Sequence, residues 1–439
     1  MIRLARWNSL VSVDIVFEGK SLVRRLYGMV LLVWGLSLTV GERPLTAMET
    51  SAKAKPGTKK FELSDGDRVV LLGNTLVERA QKYGYWETLL TARFPHRKIS
   101  FRNLGWSGDT VWSESRGLFD APAKGYRRML VHVGHLKPTV IFLGYGGNEA
   151  YAGRDGLPSF IKQYNLLIDN LTAVSAPNVR FVILSPIRHE QLDPPLPDPS
   201  EINRKLALMT RVLSEIARKR GLRYVDLYSP WKLPEKFTSL IPGGATKHLT
   251  DDGMHLTPAG YFVTGLRIAQ SLSLLTPRDD VRLTAQGRIT RNSGATISGV
   301  HVTEGKISFR FQSPSLYRRP SRFQIDGAPA GGYELLIDHK HFISATGQQW
   351  TRGTHLKNGP DSQQQEHLRK TIIEKNRLYF YRWRPQNVTY LFLFRKHEQG
   401  QNAKEIPQFD KLVEEKEKEI ARLRQPVAHS FEFFPLKKK

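Results

Sequence analysis

The chain has 439 residues, a formal net charge of +25 and a pI near 10.1. The length suits two domains with a sizeable core. The charge favours an anionic polysaccharide or an anionic membrane surface as partner; nucleic acid is not expected, because no recognition motif is present. With no cysteine in the chain, disulfides, thiolate metal sites and cysteine nucleophiles are excluded.

At the N-terminus, Arg24-Arg25 precede an apolar run from Leu26 to Val40. Its length fits a signal-peptide core better than a membrane span, and Leu45-Thr46-Ala47 offers a cleavage site. Residues 1–47 are therefore read as a signal peptide with upstream material, the start being expected at Val23. An uncleaved membrane anchor is the alternative. The expected location is periplasmic or extracellular. The lysine-rich stretch Ser51 to Lys60 marks residues 48–66 as a linker.

From residue 67 to 275 strands and helices alternate. Strands are expected at Arg68–Leu72, Ile99–Asn103, Thr139–Leu143, Val179–Leu184 and Arg223–Leu227. Helices are expected at Thr75–Arg93, Tyr126–Leu136, Leu157–Val174, Ser200–Arg220 and Thr257–Leu275, the last with Thr257 as N-cap and Pro258 at the first helical position. Continuously apolar strands, each followed by a helix, predict a parallel sheet covered on both faces: a three-layer α/β/α domain. Ligands of such sheets bind at the carboxyl ends of the strands.

Beyond Thr276 the pattern changes. Lys306–Phe311 and Tyr333–Ile337 alternate with period two, so residues 276–346 are read as a small β unit. Residues 347–439 are read as a tail. It holds a helix over Ser362–Asn376, an aromatic-basic stretch Tyr379-Phe380-Tyr381-Arg382-Trp383-Arg384-Pro385 and an amphipathic helix over Phe409–Arg424. The aromatic stretch is expected to pack the tail onto the α/β domain, with stacking on sugar rings as the alternative.

Short polar blocks fall at the strand ends: Gly73-Asn74-Thr75, then Asn103-Leu104-Gly105-Trp106-Ser107-Gly108-Asp109-Thr110, then Gly146-Gly147-Asn148-Glu149, and finally Asp252-Gly253-Met254-His255. In this order they resemble the blocks of the SGNH (GDSL) hydrolase superfamily, over residues 67–275. Members of that superfamily are esterases, lipases and carbohydrate deacetylases on a flavodoxin-like sheet. The resemblance implies that Thr75 attacks, that His255 is the base and that Asp252 orients the imidazole, with Asp251 the alternative acid. It also implies that the Gly108 N–H, the Asn148 side chain and the Thr75 N–H hold the oxyanion. The residue types suit the chemistry. A hydroxyl attacks an acyl carbon poorly unless a base takes its proton, and the tetrahedral intermediate needs donors aimed at its oxygen.

The chain departs from the family at two positions. Asn74 stands where the family has aspartate, and Thr75 where it has serine. Threonine keeps the hydroxyl and adds a methyl that stiffens χ1. This Gly-Asn-Thr elbow resembles a trait of an exported bacterial subgroup. Thr75 could instead be a helix N-cap. Ser107 is weighed as a replacement nucleophile against a turn-holding serine. Arg188 and His189, after the fourth strand, are pocket candidates by location, and Glu149 is read as a solvated or structural carboxylate.

The reading is an exported ester hydrolase. Its substrate is expected to be a small ester or an acylated, acidic polysaccharide, with acetyl the favoured acyl group. No metal or organic cofactor is implied. The alternative is a catalytically inactive SGNH-like module that binds glycan or ester ligands at the cell envelope.

Overall fold

A computed structural model of the protein describes residues 61–230, 241, 247–275, 279–316, 321–357 and 359–437. The expected signal peptide and most of the linker lie outside these residues. The end of the linker belongs to the domain, because Phe61 and Leu63 are buried in its core.

Five parallel strands build the first sheet: β1 (Arg68–Gly73), β2 (Ser100–Asn103), β3 (Val140–Gly144), β4 (Arg180–Leu184) and β5 (Arg223–Val225). Their order is β2-β1-β3-β4-β5, the flavodoxin-like arrangement whose switch point lies between β1 and β3. The two chain directions diverge there, so the loops after β1 and β3 leave a crevice between them. The register pairs Gly73 with Gly144 at the carboxyl ends. A Cβ on Gly73 would sit 2.4 Å from the Gly144 carbonyl oxygen, so the close approach that closes the crevice floor requires glycine.

On one face pack α1 (Thr75–Tyr83), α2 (Tyr85–Arg93) and, later in the chain, the helix Pro258–Ser271. On the other pack α3 (Pro122–Leu136), α4 (Leu157–Val174) and α5 (Ser200–Arg220). The helix Pro258–Ser271 is α6. It begins as expected, with the Thr257 hydroxyl accepting from the Gly260 N–H at 3.2 Å. The single helix expected over Thr75–Arg93 is two. Gly84 takes a left-handed conformation (φ 71°) and turns the chain between them, at a cost no other residue meets so cheaply.

The β unit is a sandwich. One sheet has the order β13-β10-β6-β7 and the other β12-β11-β14-β9-β8. Here β6 is Asp280–Thr284, β7 Ile289–Asn292, β8 Thr296–Thr303, β9 Lys306–Gln312, β10 Ser321–Asp326, β11 Tyr333–Ile337, β12 Lys340–Ala345, β13 Thr354–Leu356 and β14 Ala428–Pro435. Phe309, Phe323, Phe431 and Phe433 meet between the sheets; the Phe323 and Phe431 rings stack 5.2 Å apart. The unit is therefore not confined to residues 276–346. The tail supplies β13 and β14, and β14 lies between β11 and β9, inside its sheet.

Between these strands the tail returns to the α/β domain. Helix α7 (Asp361–Trp383) continues past the expected end at Asn376 and through most of the aromatic stretch. Its Leu368 and Ile372 pack with Leu89 and Ala92 of α2, Leu266 of α6, and Ile420 of α8 (Phe409–Leu423). Deeper, the Lys375 ammonium donates to Glu87 Oε1 at 2.6 Å and to the Phe101 carbonyl at 3.0 Å, fully buried. Tyr379 and Trp383 join the α/β core, so the aromatic stretch does pack the tail onto that domain. Among the described residues no helix is long and apolar enough to cross a membrane.

Candidate active site

The first turn of α1 divides two tasks between neighbours. Asn74 is the N-cap: its Oδ1 accepts from the Leu76 N–H at 3.1 Å. Thr75 is already the first helical residue, so the N-cap role considered for it belongs to Asn74. Its half-buried hydroxyl is left to the crevice, where it accepts from the Gly108 N–H at 3.1 Å.

Across the crevice the i,i+3 spacing does what the sequence implied. Asp252 Oδ2 lies 2.5 Å from His255 Nδ1, and Asp252 Oδ1 accepts from the N–H groups of Met254 (3.0 Å) and His255 (2.7 Å). Burial pushes the Asp252 carboxyl up, but these bonds, the His255 side chain first, outweigh it and hold the pKa at about 2. With Nδ1 engaged, Nε2 is the nitrogen left for chemistry. The alternative acid, Asp251, instead pairs with Arg79 at 3.3 Å. Asp251, Asp252 and His255 each present a ligand atom within 4.8 Å of the others. Those of Asp252 and Asp251 are engaged by His255 and Arg79.

Asn74, Thr75, Asn148, His189 and His255 line one cleft of about 100 Å³, together with Tyr151, Ser185 and Met254. Asp252 stands behind His255, and Gly108 joins through its bond to Thr75. Ser107 and Arg188 are not in the lining. Ser107 is exposed, and its N–H is held by Glu78 Oε2 at 2.5 Å. Arg188 lies 5.7 Å from the centre of the Tyr228 ring and lines a neighbouring cavity with His189. Burial lowers the pKa of His189, which favours its neutral form.

Further residues of the motifs, and others outside them, hold the cleft in place. The Asn148 amide donates to the Asp109 carbonyl at 2.9 Å. Buried Asp109 in turn takes Arg116 Nε at 2.7 Å and the Tyr145 hydroxyl at 3.1 Å. Glu149 is structural: it accepts from Val111 N–H (2.9 Å) and Gly146 N–H (2.8 Å), and burial raises its pKa to about 7. Glu190 accepts from Leu249 N–H (3.0 Å) and Thr250 N–H (2.8 Å), and its own N–H bonds the Gly253 carbonyl (2.8 Å), which anchors the loop that carries Asp252. Arg384 comes from the far end of the chain. It donates to Glu78 Oε2 at 2.9 Å, the same oxygen that holds Ser107 N–H, and its guanidinium lies 3.6 Å over the Trp106 ring. Glu190 and Arg384 carry no local signal, since their partners lie far away in the chain.

Residues 69–262 match the GDSL-like Lipase/Acylhydrolase family. No curated protein matches the chain. Among solved structures, a gut microbial diltiazem-metabolizing enzyme aligns over 87% of this chain and 100% of its own, at 16% identity and a TM-score of 0.64. That overlap reaches past the α/β domain and is a likeness of fold. A GDSL-like lipase from Bacteroides thetaiotaomicron covers 51% of this chain and 92% of its own (19% identity, TM-score 0.32). The aryl esterase of M. smegmatis covers 48% and 100% (16% identity, TM-score 0.32). With three of the blocks at the ends of β1, β2 and β3 in a 2-1-3-4-5 sheet and the Asp252–His255 block just ahead of α6, the α/β domain of this chain belongs to the GDSL-like lipase/acylhydrolases of the SGNH hydrolase superfamily.

Proposed function

We propose that the protein hydrolyses small carboxylic esters with Thr75 as nucleophile. The observation that carries this reading is the Asp252–His255 pair, 2.5 Å apart, in one cleft with the Thr75 hydroxyl and the Asn148 amide. His255 Nε2 takes the Thr75 proton as Oγ1 bonds to the acyl carbon. The Gly108 and Thr75 N–H groups and the Asn148 amide stabilise the oxyanion. Collapse of the intermediate breaks the ester C–O bond, and His255 returns the proton to the departing alcohol. Water, deprotonated by His255, then cleaves the acyl-threonine and releases the acid. Asp252 stays ionised down to about pH 2, so it keeps the imidazole oriented throughout the working range.

The cleft of about 100 Å³ supports a small acyl group such as acetyl. The charge of +25 supports an acidic or sulfated glycan as the alcohol, and the signal-like segment from Arg24 to Ala47 supports export. A second reading rests on the Thr75–Gly108 bond. In the free protein the hydroxyl occupies an oxyanion donor, as it would in a module that binds esters or glycans at the cell envelope without turnover.

Hydrolysis of an activated acetyl ester by the parent, Thr75→Ala and Thr75→Ser separates the two. The enzyme reading expects a loss of at least ~10⁴-fold in kcat for Thr75→Ala, with activity kept or raised in Thr75→Ser. A silent parent that gains activity as Thr75→Ser selects the binding module. Unchanged activity in Thr75→Ala removes Thr75 from the mechanism.

A further inference from the structure

Away from the catalytic cleft, and sharing no lining residue with it, a cavity of about 550 Å³ opens between α3 and the segment that follows α7. That volume falls within the ~300–1,000 Å³ of small-molecule sites. Its walls are aromatic: Trp106 and Trp383 meet edge to face at 5.9 Å, and Tyr379 lies beside them. Its mouth is apolar. Leu118, Val131 and Phe392 line it while 41%, 53% and 48% exposed. Next to them, Phe119 (75% exposed) and Phe394 (66%) contact each other at 5.6 Å. Phe119, Phe394 and Phe392 are the most exposed phenylalanines among the described residues. Apolar exposure concentrated at one cavity mouth marks a binding surface rather than scatter.

The polar groups of the cavity share one character. Arg116, Arg128, Arg382 and Arg384 line it, against a single lining carboxylate, Asp410, which pairs with Arg382 at 2.9 Å. The other three arginines hold Asp109, Asp120 and Glu78 from outside the lining. Two donors in the walls have no partner: Nη1 of Arg116, whose side chain is 2% exposed, and Nε1 of Trp383. Buried donors without an acceptor are costly, and they add to the donor-rich character of this wall. Burial and the neighbouring arginines, Arg116 first, hold His132 down at about 4, so the cavity already disfavours a further cation.

We propose that this cavity binds an amphiphile with a carboxylate head and a long apolar chain. The carboxylate sits at the guanidinium-rich wall, and the chain runs over the indoles to the phenylalanine rim. This site is independent of the esterase reading.

The test titrates the full chain with dodecanoate below its micellar concentration, following tryptophan fluorescence and heat. Dodecanol serves as the uncharged comparison. The variants are Val131→Glu and Phe392→Asp, both at exposed positions on the mouth. Saturable one-site binding of dodecanoate is expected, at least tenfold weaker for dodecanol and in either variant, with unfolding curves of the variants unchanged. No saturable response overturns the proposal. So does equal affinity for dodecanol together with an unmoved Val131→Glu, which would mean an adventitious apolar surface. Binding to phosphatidylglycerol vesicles without binding of dodecanoate also overturns it and makes the patch a membrane face.

Discussion

The substitution of Asn74 and Thr75 into the elbow has a local logic. Asn74 caps α1, which leaves the Thr75 hydroxyl free of the helix and directed to the crevice. The Asp252–His255 pair was legible in the sequence because one turn contains it. The support of the neighbouring loop was not. Arg384 reaches Glu78 across 306 positions, and no local pattern encodes that contact. Loss of Arg384 would release Glu78 and, through it, the Ser107-Gly108 backbone. A displacement of ~1 Å there costs on the order of 10²-fold in rate. Steady-state kinetics of Arg384→Ala should therefore show a fall in kcat of about that size with KM little changed. Arg384→Lys should not restore it, because an ammonium cannot stack as a plane on Trp106.

Glu149 makes a second prediction at this scale. Its pKa is raised by burial to about 7 in the folded protein. A raised carboxyl binds its proton more tightly folded than unfolded, so its contribution to stability is full below the ordinary glutamate value. It is lost as pH rises through about 7. Denaturant unfolding from pH 4.5 to 8 should show a decline on the order of 3 kcal/mol from this group. Glu149→Gln, which cannot ionise, should flatten that slope while lowering stability at the acid end, because one of the Val111 and Gly146 N–H groups then loses its acceptor.

At the scale of elements, the α/β strands and most helices follow directly from apolar runs and caps. The breaks depend on particular contacts. Gly84 divides what reads as one helix, because a left-handed residue ends α1 and lets α2 turn under α7. Helix α7 runs past the end its pattern suggests: Leu368 and Ile372 form an apolar side, but Lys375 and Asn376 look like solvent positions. Both face Glu87, where Lys375 Nζ bonds Oε1 at 2.6 Å and Asn376 Nδ2 bonds Oε2 at 3.0 Å. Burial raises the Glu87 pKa, and Lys375 opposes that rise. Removing one partner of such a pair leaves an uncompensated buried charge. Lys375→Met is expected to cost about 3–5 kcal/mol in thermal or denaturant unfolding, and Glu87→Met with Lys375→Met to recover most of it.

Over the whole molecule, the chain crosses between its two parts repeatedly. It leaves the α/β domain after α6, builds most of the sandwich, returns as α7 and α8, and ends as β14 inside the sandwich. Ending the chain at Pro426 would strip β11 and β9 of their shared partner and remove Phe431 and Phe433 from the core. Limited proteolysis should then cut residues 280–345 readily, while the untruncated protein resists under the same conditions.

The sequence by itself determined the parallel α/β/α domain, the β character of the region that follows, and the motif residues at the strand ends. Each of these is written within a few residues, as an apolar run, a cap or an i,i+3 pair. Only the tertiary structure decided that the last strand belongs inside the sandwich, that Lys375 of α7 is buried against Glu87 of α2, and that Arg384 braces the glycine loop. Those outcomes depend on which surfaces meet, and chain positions hundreds of residues apart meet only when burial of apolar area brings them together.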